Sequence, residues 1–167
     1  MNHNETARQA YREGNLNKAV RHFQLWLYSH PKDTAAHYDL AATWFNSGDL
    51  EASEKSIRVA LDIDDQFTQA WALLATVQAA QGQIGTPLKS MLTAVRLEPN
   101  NHTYRARLGV MLLDQGHFDQ AMRTFQVILK QQPNQTDAIA GLATTLERQG
   151  QFEAARSFME PHIHKIT

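Results

Sequence analysis

Apolar residues recur along this chain at helical spacing, in runs broken by short polar stretches that each carry a glycine. The segment "TAAHYDLAATWFNSG" (34–48) shows the pattern: an apolar stripe at period 3.6, then a glycine stop. "DLEASEKSIRVALDI" (49–63) resumes the same period at once, so the spacing predicts a helical hairpin. Gly14, Gly48, Gly82, Gly116 and Gly150 follow one another at intervals of 34 residues. Two residues after each stands a large apolar side chain: Leu16, Leu50, Ile84, Phe118, Phe152. Seven before each stands a very small one: Ala7, Ala41, Ala75, Gly109, Ala143. Nine after come Phe23, Ile57, Met91, Phe125 and Met159, and eight before come Leu40, Leu74, Leu108 and Leu142. Columns aligned over five units are the signature of a repeat array.

The columns have physical roles. Glycine reaches the left-handed conformation that ends a helix at little cost. The small residues of the first helices, with Ala19, Ala121 and Ala155 of the second, allow close helix approach where larger side chains would overpack. Each unit closes on Pro31, Pro99 or Pro133, or on Asp65 in the second unit, before the next helix starts. One such hairpin cannot bury its apolar face alone, so neighbours must stack.

With these columns the chain resembles the tetratricopeptide repeat (TPR) family over essentially its whole length, in units of about 1–33, 34–67, 68–101, 102–135 and 136–167. The fourth unit matches best, with Leu108-Gly109, Leu112, Gly116, Phe118, Ala121, Phe125 and Pro133, and Trp71 stands as the family's early tryptophan. The resemblance implies an all-α fold, a right-handed superhelical solenoid of antiparallel helix pairs forming a single domain over residues 1–167. It also implies that first helices line a concave groove that holds another protein. The "LERQG…EAAR…MEPHI" pattern near the C-terminus is similar to repeats that precede the catalytic domain of some bacterial TPR sulfotransferases.

Two prolines break the pattern. Pro87 stands where other units have Ala or Ser. Thr86 reads as the cap of a helix starting at Pro87, shortening that helix by about two residues; the alternative is a bend in the superhelix. Pro161 should stop or kink the last helix near Glu160. Phe158, Met159, Ile163 and Ile166 then need cover, from a folded-back tail, from a second copy meeting this C-terminal face, or from further chain.

Composition narrows the chemistry. A net charge of −1 with interspersed signs removes the electrostatic case for nucleic acid and for a polybasic membrane anchor. The absence of cysteine excludes disulfides, thiolate metal sites and a cysteine nucleophile. The N-terminus "MNHNETARQAYREG" lacks the apolar region of a signal peptide, and no apolar run is long enough for a membrane span. A cytoplasmic protein is the expectation. No phosphate loop, GxSxG or HExxH occurs. His162-Ile163-His164 reads as solvated histidines, and Asp62, Asp64 and Asp65 as a solvated turn rather than a calcium loop. No catalytic residue, metal or cofactor is expected.

Function is then expected on the first helices: a non-catalytic scaffold that binds a peptide or helix of a partner protein. The candidate contact residues are Arg8, Tyr11, Arg12, Tyr38, Asp39, Phe45, Leu73, Thr76, Arg107, Val110, Leu113, Asp114 and Arg148. Aromatic and leucine side chains there offer anchoring surface, and the arginines suit an acidic partner. The lysine and asparagine positions of the family's chaperone clamp hold other residues, such as Asn4, Tyr38, Arg8 and Ala42. The alternatives are an interaction module of a larger sulfotransferase or glycosyltransferase, and a self-associating structural unit.

Overall fold

The computed structural model describes residues 2–165, and the side chains of residues 2–162. Among them are ten α-helices and no strand. They fall into two compact units, Met1–Leu97 and Glu98–Thr167. The first unit holds α1 (His3–Arg12), α2 (Leu16–Ser29), α3 (Thr34–Ser47), α4 (Leu50–Ile63), α5 (Thr68–Ala80) and α6 (Thr86–Leu97). The second holds α7 (His102–Asp114), α8 (Phe118–Gln131), α9 (Thr136–Arg148), α10 (Phe152–Met159) and a 3₁₀ segment, Glu160–Lys165. Odd and even helices pair as hairpins, and within each unit successive hairpins stack. No described helix is long and apolar enough to cross a membrane.

The repeat glycines end the first helices as expected, with φ between +74° and +86°. At Gly48 the glycine amide bonds to the Phe45 carbonyl and the Asp49 amide reaches back to the Trp44 carbonyl. This doubled closure satisfies carbonyls the helix end leaves orphaned. The residue after the glycine then opens the next helix: Asn15 caps the Lys18 amide and Asp49 the Ala52 amide. One two-residue turn therefore serves both helix ends.

The third hairpin differs, and Pro87 explains it. In the other hairpins the residue in this column donates the first helical amide bond: Ala19 to Asn15, Ser53 to Asp49, Ala121 to His117, Ala155 to Gln151. Proline has no N–H to donate, and its ring would strike that carbonyl. Helix α6 instead begins at Thr86, its first main-chain bond runs from the Lys89 amide to the Gly85 carbonyl, and Pro87 falls in the amide-free first turn. It has 12 residues where α2, α4 and α8 have 14. The shortening matches expectation but the cap does not: Gly85 (φ +82°) stands before the helix, and the Thr86 hydroxyl bonds to Gln83 Oε1. Ile84, the large apolar residue two after the glycine, is left in the loop and is 90% exposed. At the far end α10 stops at Met159 and continues as the 3₁₀ segment around Pro161.

Two apolar clusters stand out in the core of the first unit, among the described residues. Ala7, Ala10, Ala19, Val20, Phe23, Leu27, Ala36 and Leu40 form one, flanked by Tyr11, Trp26 and Trp44. Ala41, Ile57, Leu61, Ala70, Leu74 and Val77 form the other, flanked by Tyr38, Phe45, Phe67 and Trp71 among others. Asp33 ties the first together at its edge. Its carboxylate caps the Ala36 amide on α3 and accepts the Trp26 indole N–H at 2.8 Å.

In the second unit Phe125 on α8 is fully buried, and its ring lies against two glycines. A Cβ on Gly109 of α7 would come within 2.6 Å of the ring, and one on Gly141 of α9 within 2.3 Å. Both approaches are closer than any carbon pair tolerates, so the absence of side chains there is what admits the ring.

Candidate functional site

Within the first unit, α1 and α3 lie side by side and share an exposed face. Arg8, Tyr11 and Arg12 come from α1, and Tyr38, Asp39 and Ala42 from α3. With Phe23 of α2 they enclose a cleft of about 360 Å³. Five of the expected contact residues thus meet at one place. Phe23 is the member that helix-face reasoning missed, because it belongs to a second helix; its column, nine residues after the glycine, marks it as core. It is 1% exposed and lies beneath residues of both neighbouring helices.

Two polar bonds fix the walls. Arg8 Nε donates to Asp39 Oδ2 at 2.8 Å, and Asn46 Nδ2 donates to the Tyr11 hydroxyl, each joining α1 to α3. Tyr38 stands edge-on to Phe67, with ring centroids 5.3 Å apart, an arrangement favoured by the ring quadrupoles. Burial pushes the Asp39 carboxyl above the ordinary aspartate range, and the Arg8 guanidinium offsets that only in part. Arg12 has no ion-pair partner among the described residues and is exposed. The cleft therefore offers aromatic walls, an internally neutralised pair and one uncommitted cation.

The remaining expected contacts lie elsewhere. Phe45 and Leu73 are half-buried against the second apolar cluster, where they support the fold. Thr76 is half-buried and its hydroxyl returns to the Ala72 carbonyl at 3.0 Å. In the second unit Arg107 and Val110 are exposed on α7, whereas Leu113 is only 5% exposed and is core. Asp114 and Arg148 pair across α7 and α9 at 3.6 Å. Arg8 and Arg148, expected to face a partner, are thus each already engaged by an aspartate of the chain. Asp62, Asp64 and Asp65 are all exposed, but only Asp64 and Asp65 lie in the turn, where Asp64 accepts the Gln66 amide; Asp62 sits in the last turn of α4. The side chains of Ile163 and His164, and Ile166 altogether, lie outside the described residues.

Comparison with known proteins follows the same lines. A model of the tetratricopeptide repeat matches residues 10–84 and 112–165, and a second matches 72–136. No curated protein matches the chain. Among solved structures, a crystal structure of MamA protein superposes with a TM-score of 0.87 at 15% identity, over 98% of this chain and 89% of that one. MamA from Desulfovibrio magneticus RS-1 gives 0.86 at 15% identity, over 94% and 89%. YrrB, described as a TPR protein with an unusual peptide-binding site, gives 0.79 at 20% identity, over 95% and 81%. At these identities the likeness is one of fold, an all-α solenoid of helix pairs. The repeat models cover most of the sequence, and the chain belongs to the tetratricopeptide repeat family.

Proposed function

We propose that the chain is a non-catalytic protein-interaction scaffold whose α1/α3 cleft receives a peptide or helix of a partner protein. The observation that carries this reading is the cleft itself. Arg8, Tyr11, Arg12, Tyr38 and Asp39 meet over Phe23, and a volume of about 360 Å³ suits one anchoring side chain. Aromatic walls suit an apolar or aromatic anchor, and the uncommitted Arg12 suits an acidic residue beside it. YrrB, which shares the fold, is described as peptide-binding, in keeping with this use. Cytoplasmic residence accords with this reading.

The test is selection of peptides from a displayed library on the full chain, followed by backbone NMR mapping of the tightest binder. Shifts should centre on Arg8, Arg12, Tyr38 and Ala42. Ala42→Leu, which fills the cleft, should weaken binding by about tenfold or more with melting little changed. A binder whose shifts lie elsewhere, or that tolerates Ala42→Leu, overturns the assignment.

A further inference from the structure

Away from the cleft, at the start of α1, the His3 and His22 rings meet across the first hairpin. Their Nδ1 atoms are 3.0 Å apart, with ring centroids 5.2 Å apart and planes inclined at 38°. One sits in the first turn of α1 and the other midway along α2, 19 residues on, so no sequence motif announces the pair. With the rings neutral, one Nδ1 must donate its proton to the other.

The separation has a second meaning. Two nitrogens bound to one divalent ion at roughly 2.0–2.1 Å stand about 2.9 Å apart at a right angle, and about 3.4 Å at the tetrahedral angle. The nitrogens are therefore at the separation of a chelate, and because the 5.2 Å centroid spacing shows the rings aimed nearly at each other, each ring turns slightly for both lone pairs to meet at one ion. We infer that His3 and His22 form a two-histidine site for a borderline transition-metal ion, copper(II) or nickel(II) ahead of zinc, which pins α1 to α2. Binding requires one ring to exchange tautomer: its proton leaves Nδ1 and Nε2 takes one up, so both Nδ1 lone pairs face the ion with no net proton released. His3 is exposed and His22 half-buried, so water reaches the other coordination positions. Among the described residues no third histidine or carboxylate converges there, so the protein supplies two ligands and solvent the rest. Lys18 and Arg21 lie near His22. Their charges oppose a cation, which favours the ions with the strongest imidazole bonds.

The test titrates the full chain with copper(II), nickel(II) and zinc chlorides in a non-coordinating buffer. Calorimetry should show one site per chain, strongest for copper, and the melting temperature should rise with metal and fall back with chelator. His3→Gln and His22→Gln should each weaken binding by about tenfold or more. His117→Gln, at an exposed histidine of the second unit, should leave it unchanged. Nitrogen-15 spectra of the imidazoles should show the donor ring passing from the Nδ1–H to the Nε2–H tautomer with zinc, so that both rings end in that form. Equal affinity in wild type and both variants, or binding that leaves the His3 and His22 tautomers unmoved, overturns the site and leaves a simple N–H···N contact.

Discussion

The α1/α3 face and the α7/α9 face are built from the same columns, yet one opens a cleft and the other is closed. In each, a phenylalanine nine residues after the repeat glycine rises from the second helix between two first helices: Phe23 in one, Phe125 in the other. Phe125 meets Gly109 and Gly141, neither of which has a side chain, and its ring fills the space. The residues aligned with those glycines beside Phe23 are Ala7 and Asp39. A carboxylate cannot lie against an aromatic face without a partner. Asp39 pairs with Arg8 instead, and the space over Phe23 remains open. Aspartate for glycine in one column, four side-chain heavy atoms where the other face has none, and alanine for glycine in the other column separate the open face from the packed one.

The largest expected effect tests that contrast directly. Phe125→Ala should destabilise the fold by about 3–5 kcal/mol, as for a fully enclosed aromatic. Phe23→Ala should fall at or below the lower end of that range, because its void opens into a solvent-filled cleft. Urea denaturation of both variants would decide; equal losses would mean the two faces are packed alike.

The next effect closes in on the glycines. Gly141→Ala forces a Cβ onto a ring that has nowhere to go, and overpacking of this kind costs about 1–3 kcal/mol. The better helix propensity of alanine returns at most about 1 kcal/mol of that. Combining it with Phe125→Leu should restore part of the loss, and a purely additive double variant would break the interpretation.

The smallest effect separates the two ion pairs. Arg148→Ala should change stability by under about 0.5 kcal/mol, since its pair with Asp114 is exposed on both sides. Arg8→Ala should lose somewhat more, up to about 1 kcal/mol, and should raise the Asp39 pKa further. Because the fold favours protonated Asp39, stability declines as pH rises from the unfolded-state pKa to the raised folded one. Asp33 acts in the opposite sense. Burial pushes its carboxyl up, but the Trp26 and Ala36 bonds more than reverse this, so its contribution is present above the unfolded-state pKa and lost as pH falls through the lowered folded one. Carboxyl-carbon titration of wild type and Arg8→Ala, read beside acid denaturation, checks both signs.

Much of the frame was legible because it is local. Glycine turns, caps and the small-residue columns depend on neighbours a few positions away, and the late start of α6 follows from the one missing amide of Pro87. The site was legible only in part. The column two residues before each glycine points outward throughout, as Arg12, Asn46, Asp114 and Arg148 show. In the column three before, the large apolar side chains of Phe45 and Leu113 are drawn toward the core, whereas the small Ala79 stays exposed. Helical periodicity assigns both to one face, and only the position of the neighbouring hairpin divides them. The Arg8–Asp39 pair spans 31 residues and two helices, a pairing no single repeat encodes.

The Gly82–Gly85 turn shows where the repeat is elastic. Four hairpins close their turn with no residue to spare, whereas the third takes up two extra ones and still places Ser90 and Met91 in the interior. Length is absorbed at the mouth of a hairpin, by sliding a helix start, rather than in the packed layers. A reporter or epitope grafted between Gln83 and Gly85, beside the solvent-facing Ile84, should therefore be carried as a passenger, whereas the same graft after Gly48 would have to unseat a cap.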